Sequence, residues 1–321
     1  MHFHLRSATA ALLLSVPITS AIAQEDTMKY KDPRFVKAID QDVAGKHAAA
    51  MKAYEALAGD PIVGVISLRA MADCQFEHQK KFDEAFATLK RALDADPTDG
   101  ITYQRRGSFY QGISMFDRAL ADFTKSLQLA DDDEERNSAL VNRGSVYLQT
   151  RRWKEAIADM DAALAIDSTD RAALLNKTSA LDEVGRRDEA MVILLRLHRL
   201  DTADIVVMNN LGFQLNSAER YAEAATWFAR SLAIEPDDAV LMNNLGYAEL
   251  MSGDPDAALK HVQRSIAIYP ANAYAHRNLG LIWKAKGEKD KACDAFEAAL
   301  ARGYSEQFGP DVKELHDAYC R

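Results

Sequence analysis

The sequence has little of what a catalyst or a membrane protein needs. Its 321 residues include only 3 cysteines and 8 prolines, and aromatic residues make up 8%. So few cysteines, odd in number, exclude the densely cross-linked scaffold of small secreted domains. There is no glycine-rich phosphate loop, no serine nucleophile elbow and no zinc protease signature. Positive charge is also short: the formal net charge is −9, which disfavours phosphate backbones and anionic lipid heads as partners. After the amino-terminal stretch, no apolar run approaches the roughly 20 residues that a membrane helix requires. What remains is a composition 48% hydrophobic and 27% charged, that of a folded chain with ample material for a core.

The single apolar run, from Ala8 to Ile18, follows His2, His4 and Arg6 and leads to Ala21-Ile22-Ala23, with small residues at the two positions a signal peptidase reads. Residues 1–23 are therefore expected to be a signal peptide cleaved after Ala23, and the mature chain to be a soluble periplasmic or secreted protein. A retained anchor is disfavoured because the run is short and is interrupted by Ser15 and Pro17. In an oxidising compartment the cysteines gain weight. Cys293 and Cys320, both near the carboxyl end on helices able to stack, are the couple expected to form a disulfide; the other reading makes the cysteines small buried hydrophobes. Cys74 is then the odd thiol.

The chain repeats itself. Asn209-Asn210-Leu211-Gly212, Asn243-Asn244-Leu245-Gly246 and Arg277-Asn278-Leu279-Gly280 follow one another at intervals of 34 residues. Gly107 and Gly144 continue the series, with Thr178 and Asp73 in place of the glycine in two units. Small residues recur in phase at Ala85, Ala119, Ala156, Ala190, Ala224, Ala258 and Ala292, and Pro97, Pro236 and Pro270 close their units. Glycine and alanine let helices approach closely, and proline stops one helix before the next begins. Gly253-Asp254-Pro255 supplies a turn, a helix cap and a proline at the first helical position, so each unit holds two helices. The phase slips once, by three residues within the acidic run Asp131 to Glu135, which is expected to be a lengthened surface loop.

These residues resemble the tetratricopeptide repeat family. The resemblance covers roughly residues 66–304 as seven repeats, starting near Ile66, Gly100, Asn137, Arg171, Ile205, Ala239 and Ala273. The unit at Arg171 is the weakest, because Lys177 and Thr178 replace the usual Leu-Gly. It implies an all-α fold, an α-solenoid of antiparallel helix pairs wound as a right-handed superhelix. Residues 24–65 form an amino-terminal helical segment in which Ala49, Ala53, Ala56 and Pro61 fit the second helix of a degenerate repeat. Residues 305–321 are expected to be a capping helix, with Val312, Leu315, His316 and Tyr319 at helical spacing. Stacked pairs need such a cover at their ends.

In the family geometry the first helix of each pair lines the concave face. Its sixth position is Asn142, Asn176, Asn210, Asn244 and Asn278 in successive units, with Arg105 one unit earlier. An amide both donates and accepts, so a column of them can hold the polar groups of an extended peptide without reading its side chains. The column resembles the asparagine ladder of O-linked N-acetylglucosamine transferase repeats. The adjoining Asn209, Asn243 and Arg277 partly resemble the carboxylate clamp of co-chaperone repeats, although lysines are missing from most equivalent positions. The competing reading ties these amides to neighbouring backbone. Phe213, Tyr247 and Tyr274, with Val206, Val240, Leu250, Met251 and Leu281, add apolar character to the later units, whereas Gln104, Ser108, Gln111 and Ser145 keep the earlier ones polar.

Cys74, Glu77 and His78 stand at i, i+3 and i+4 on what reads as one helix face, but no fourth ligand follows in a recognisable spacing, and His47, His198, His261, His276 and His316 form none. No metal and no cofactor is assigned. The expectation is a non-enzymatic scaffold that binds a protein or peptide segment, with no nucleic acid partner; a self-associating homo-oligomer is the alternative.

Overall fold

The structure, a computed structural model, describes residues 31–321, apart from the side chains of residues 306 and 307; the expected signal peptide lies outside the described residues. The described residues are helical, with no strand among them. The helices are α1 (Pro33–Val43), α2 (His47–Leu57), α3 (Gly64–Asp73), α4 (Phe82–Ala95), α5 (Gly100–Gly112), α6 (Phe116–Leu129), α7 (Asp133–Gln149), α8 (Trp153–Ile166) and α9 (Arg171–Glu183). They continue with α10 (Arg187–Leu200), α11 (Ile205–Ser217), α12 (Tyr221–Ile234), α13 (Ala239–Met251), α14 (Pro255–Ile268), α15 (Ala273–Ala285), α16 (Lys289–Ala301), α17 (Tyr304–Phe308) and α18 (Asp311–Tyr319). They divide into two compact units, one ending at Ala180 and the other running from Leu181 to Arg321.

Local chemistry marks both ends of most first helices, α3 being entered from Val63 without a side-chain cap. Asp99, Asp132, Asp170, Asp204, Asp238 and Asn272 precede α5, α7, α9, α11, α13 and α15, and their side chains accept from backbone N–H groups two or three residues on. At the other end a residue with positive φ closes the turn: Gly45, Lys80, Ser114, Arg151, Gly185, Glu219, Gly253 and Gly287. The N–H of the following residue returns to the carbonyl five back, as from Met115 to Tyr110 and from Arg220 to Leu215, each at 2.8 Å. This is the left-handed closure that satisfies the last carbonyls of a helix. One turn differs. Lys81 N–H reaches six back, to Gln75 at 2.9 Å, and residues Cys74–His78 are wound as a π turn without any added residue. Cys74 and His78 therefore do not share the regular helix face expected of them: Cys74 is buried and His78 exposed.

The acidic run also departs from expectation. Rather than lengthening a loop, Asp133, Glu134 and Glu135 form the first turn of α7, which is 17 residues long against 13 for α5 and α9. Acidic side chains favour that place because they face the positive end of the helix dipole, and Asp132 caps it.

Packing follows the small residues. Ala85, Ala119, Ala156, Ala190, Ala224, Ala258 and Ala292 all have zero exposure. A Cβ built on Gly212 would stand 2.6 Å from the Phe228 ring, so α11 and α12 meet at a distance only glycine permits. In the unit ending at Ala180, α1 and α2 pack around Phe35, Tyr54 and Val63, and further cores gather Leu89 with Phe109 and Phe123 with Val146. In the unit from Leu181, Phe228 packs with Leu215 and Leu245. At its end Phe296, Tyr304 and Val312 form a core closed by α18. A disulfide joins Cys293 to Cys320, with Cα atoms 5.7 Å apart, and Cys74 is a free buried thiol. No helix among the described residues is long and apolar enough to cross a membrane.

Candidate functional site

The residues that sequence placed on the groove wall fall into two chemical states. In the unit from Leu181, the amides of the later repeats bond to the repeat before them. Asn244 Nδ2 donates to Asn209 Oδ1 at 3.2 Å, and Asn278 Nδ2 donates to Asn243 Oδ1 at 3.0 Å. Asn278 is wholly buried, Asn243 and Asn244 nearly so, and Asn209 half-buried. These rungs are bonds between side chains of adjacent repeats, not bonds to neighbouring backbone.

Arg277 extends the network to the last helix. It donates from Nη1 to Asn278 Oδ1 at 2.9 Å and from Nε to Asp311 Oδ2 at 3.3 Å. Its guanidinium carbon lies 5.6 Å from the Tyr247 ring centre and 5.2 Å from that of Tyr274, so a nearly buried cation is held between aromatic faces and a carboxylate. Burial pushes the Tyr247 hydroxyl up to about 12, with Arg277 working against it, and the phenol stays neutral. Tyr247 and Tyr274, expected in the groove, thus serve the Arg277 cluster, and Tyr274 also stacks on Tyr304 at 5.9 Å. Phe213 is half-buried and sets its ring edge-on to Phe228. Val240 and Met251 remain 41% and 42% exposed.

The other asparagines are unengaged. Asn142 and Asn176 in the unit ending at Ala180, and Asn210 in the unit from Leu181, are half-buried and make no side-chain hydrogen bond among the described residues. Around Asn142 the surface is polar, with Gln111 donating to Ser145 Oγ at 3.1 Å and Gln104 bonded to Ser138. Arg105, at the head of the series, is paired with Asp73, its Nε 3.3 Å from Oδ1. Neighbouring cations pair within their own repeats: Arg106 makes a two-pronged bond to Asp122 and Arg143 one to Asp159, each on the following helix, and Arg143 also donates to Thr124 of the repeat before. Lys177, part of the weakest unit, pairs with Asp161 at 2.6 Å, and Thr178 returns its hydroxyl to the Leu175 carbonyl.

Two family models described as Tetratricopeptide repeat match this chain, one over residues 35–100, 100–171 and 243–306 and the other over residues 204–271. The chain belongs to the tetratricopeptide repeat family. The match from residue 35 takes in the α1–α2 pair, which sequence placed outside the seven clear repeats. Proteins of this family mediate protein–protein interaction, and the fold is typically a non-enzymatic scaffold. Among curated proteins, the TPR repeat-containing thioredoxin TDX of Arabidopsis thaliana is 29% identical over 117 residues, which are 34% of this chain and 30% of that protein. Among solved structures, a chain of the APC/C hetero-tetramer Cut9–Hcn1 is 17% identical with a TM-score of 0.64, covering 93% of this chain and 58% of its own. The C-terminal part of a TPR repeat-containing protein from Cytophaga hutchinsonii is 18% identical with a TM-score of 0.52, covering 72% of this chain and 94% of its own. At these identities the solved structures share the fold alone.

Proposed function

We propose that this tetratricopeptide repeat protein is an exported scaffold that holds an extended segment of a partner protein against the first helices of its repeats. The observation that carries this reading is the pair Asn142 and Asn176, half-buried amides at the same repeat position with no partner of their own. Such an amide has two donors and an acceptor to offer a peptide backbone, and Asn210 offers the same in the unit from Leu181. Asn244 and Asn278 instead hold repeats together. Export is supported by the leader sequence, and the Cys293–Cys320 disulfide is consistent with an oxidising compartment.

The two classes of asparagine are separable by experiment. Asn142→Ala with Asn176→Ala is expected to weaken capture of partner protein from the source organism's envelope extract about three- to tenfold per lost bond, with the melting temperature unchanged. Asn244→Ala with Asn278→Ala is expected to cost about 2–4 kcal/mol of stability, because Asn209, Asn243 and Arg277 lose bonds in a dry environment. Undiminished capture by the first pair would rule out the amides as the contact.

Export has its own check. The intact mass of the chain recovered from the periplasm or medium is expected to be that of Gln24 to Arg321 less two hydrogens. Recovery of the uncleaved chain from the cytoplasm would refute it.

A further inference from the structure

We propose that Asp42, His47 and His78 form a binding site for a divalent transition-metal ion of the zinc class. The three residues come from separate places in the chain. Asp42 lies near the end of α1, His47 opens α2, and His78 ends the π turn that follows α3. Gly45, with a φ of 74°, folds the chain back between the first two, which places His47 Nδ1 2.7 Å from Asp42 Oδ1. His78 arrives from the next repeat. Its ring stacks on that of His47 with centres 4.2 Å apart and planes 18° from parallel.

One ligand atom from each of the three residues lies within 4.8 Å of the other two. Ligands around a tetrahedral zinc ion at bond lengths near 2 Å are roughly 3.3 Å apart, so rotation of the two imidazoles closes the site without moving a helix. Two imidazole nitrogens and one carboxylate oxygen suit zinc, copper or nickel, whereas calcium and magnesium call for oxygen alone. Three protein ligands also leave a fourth position for water or for a side chain of a bound protein.

His78 is exposed and His47 one-third exposed, so an ion reaches them from solvent. The π turn brings His78 into place, since its wider winding re-aims the end of the helix. Turns of this kind recur at functional sites. An ion bound here would cross-link α1, α2 and the end of the following first helix, tying the amino-terminal pair to its neighbour.

The test uses the untagged full chain, stripped with chelator and titrated with zinc chloride at neutral pH by calorimetry, and separately with cobalt(II) while the visible spectrum is recorded. The expected result is one ion per chain at micromolar affinity or tighter, a rise in melting temperature on zinc addition, and cobalt bands of a four- or five-coordinate ion. His47→Ala, His78→Ala and Asp42→Asn should each weaken zinc binding at least tenfold and abolish the cobalt bands. His78 is exposed, so His78→Ala is expected to retain full helicity by circular dichroism, which keeps its result interpretable. Absence of stoichiometric uptake, or uptake by His78→Ala equal to that of the unaltered chain, overturns the proposal and leaves a hydrogen-bonded His–Asp pair.

Discussion

Reduction of the Cys293–Cys320 disulfide, or its removal by Cys293→Ser, is expected to cost about 3–4 kcal/mol, concentrated at the carboxyl end. The bridge spans 27 residues, and closing a loop of that length lowers the entropy of the unfolded chain by about that amount. In a stack of repeats each element contacts its neighbours alone, so the loss falls on the terminal helices before it reaches the rest. Without the bridge, α18 is held by Val312 packed into the Phe296 and Tyr304 core and by Asp311 bonded to Arg277. Hydrogen exchange with and without reductant is the direct measurement. Amides of α16 and α18 are expected to lose protection first while residues 31–180 keep theirs. Identical exchange under both conditions would mean that the bridge adds nothing to this end.

Asp73 is expected to lower stability as the pH rises from 4 to 6, and Asp73→Asn is expected to remove that contribution. Asp73 ends α3 and is 8% exposed, and neither of its carboxylate oxygens accepts a hydrogen bond. Arg105 Nε is within 3.3 Å but is not aligned to donate, and Arg69 is committed to Asp99 at 2.7 Å. Burial pushes the Asp73 carboxyl up to about 6; Arg105 and Arg69 pull it down, and Glu77 and Asp42 add to the rise. Below pH 4 both folded and unfolded chains carry the proton, and the site has no penalty. Between pH 4 and 6 the unfolded chain ionises first, and roughly 3 kcal/mol of stability is lost by the time the folded carboxyl follows. Urea unfolding at pH 4, 5, 6 and 7.5 measures it. The variant should match the unaltered chain at pH 4 and exceed it at pH 7.5 by up to that amount, less whatever attraction Arg105 supplies. Parallel profiles would show that Asp73 is ionised throughout.

Much of the fold was legible because one repeating constraint writes it into many positions. Only a small residue fits where α11 meets α12, so Gly212 and Ala224 mark the pair, the alanine in all seven units and the glycine in all but the two with Asp73 and Thr178. The acidic run misled because charge alone does not separate a loop from the start of a helix; Asp132 followed by Asp133, Glu134 and Glu135 satisfies a helix amino terminus equally well. The asparagine column was legible as a spacing but not as a chemistry. For Asn176, Asn244 and Asn278, what the amide does follows the residue one repeat earlier at the preceding position. Asn244 and Asn278 find Asn209 and Asn243 there, 35 residues back. The same step back from Asn176 leads to Val141, which has no acceptor, and so its amide stays unengaged. That signal was present in the sequence and lay outside the repeat consensus.

The His47–His78 contact was beyond reach for a different reason. Its members are 31 positions apart on elements whose relation depends on the π winding of Cys74–His78, and no ligand spacing announces it. Asp73 was visible only as a departure from glycine, since its environment is assembled from Arg69 and Arg105 on two different helices.

The two irregular repeats depart from the pattern in opposite ways, one by added length and the other by altered winding. Residues gained at the start of α7 prolong a helix at its own beginning, and every later pair keeps its phase. The π winding of the Cys74–His78 turn adds no residue and keeps the phase too, but swivels the side chains around it into new company. The first kind of change is silent to its neighbours, whereas the second can invent chemistry in a protein whose architecture otherwise only copies itself.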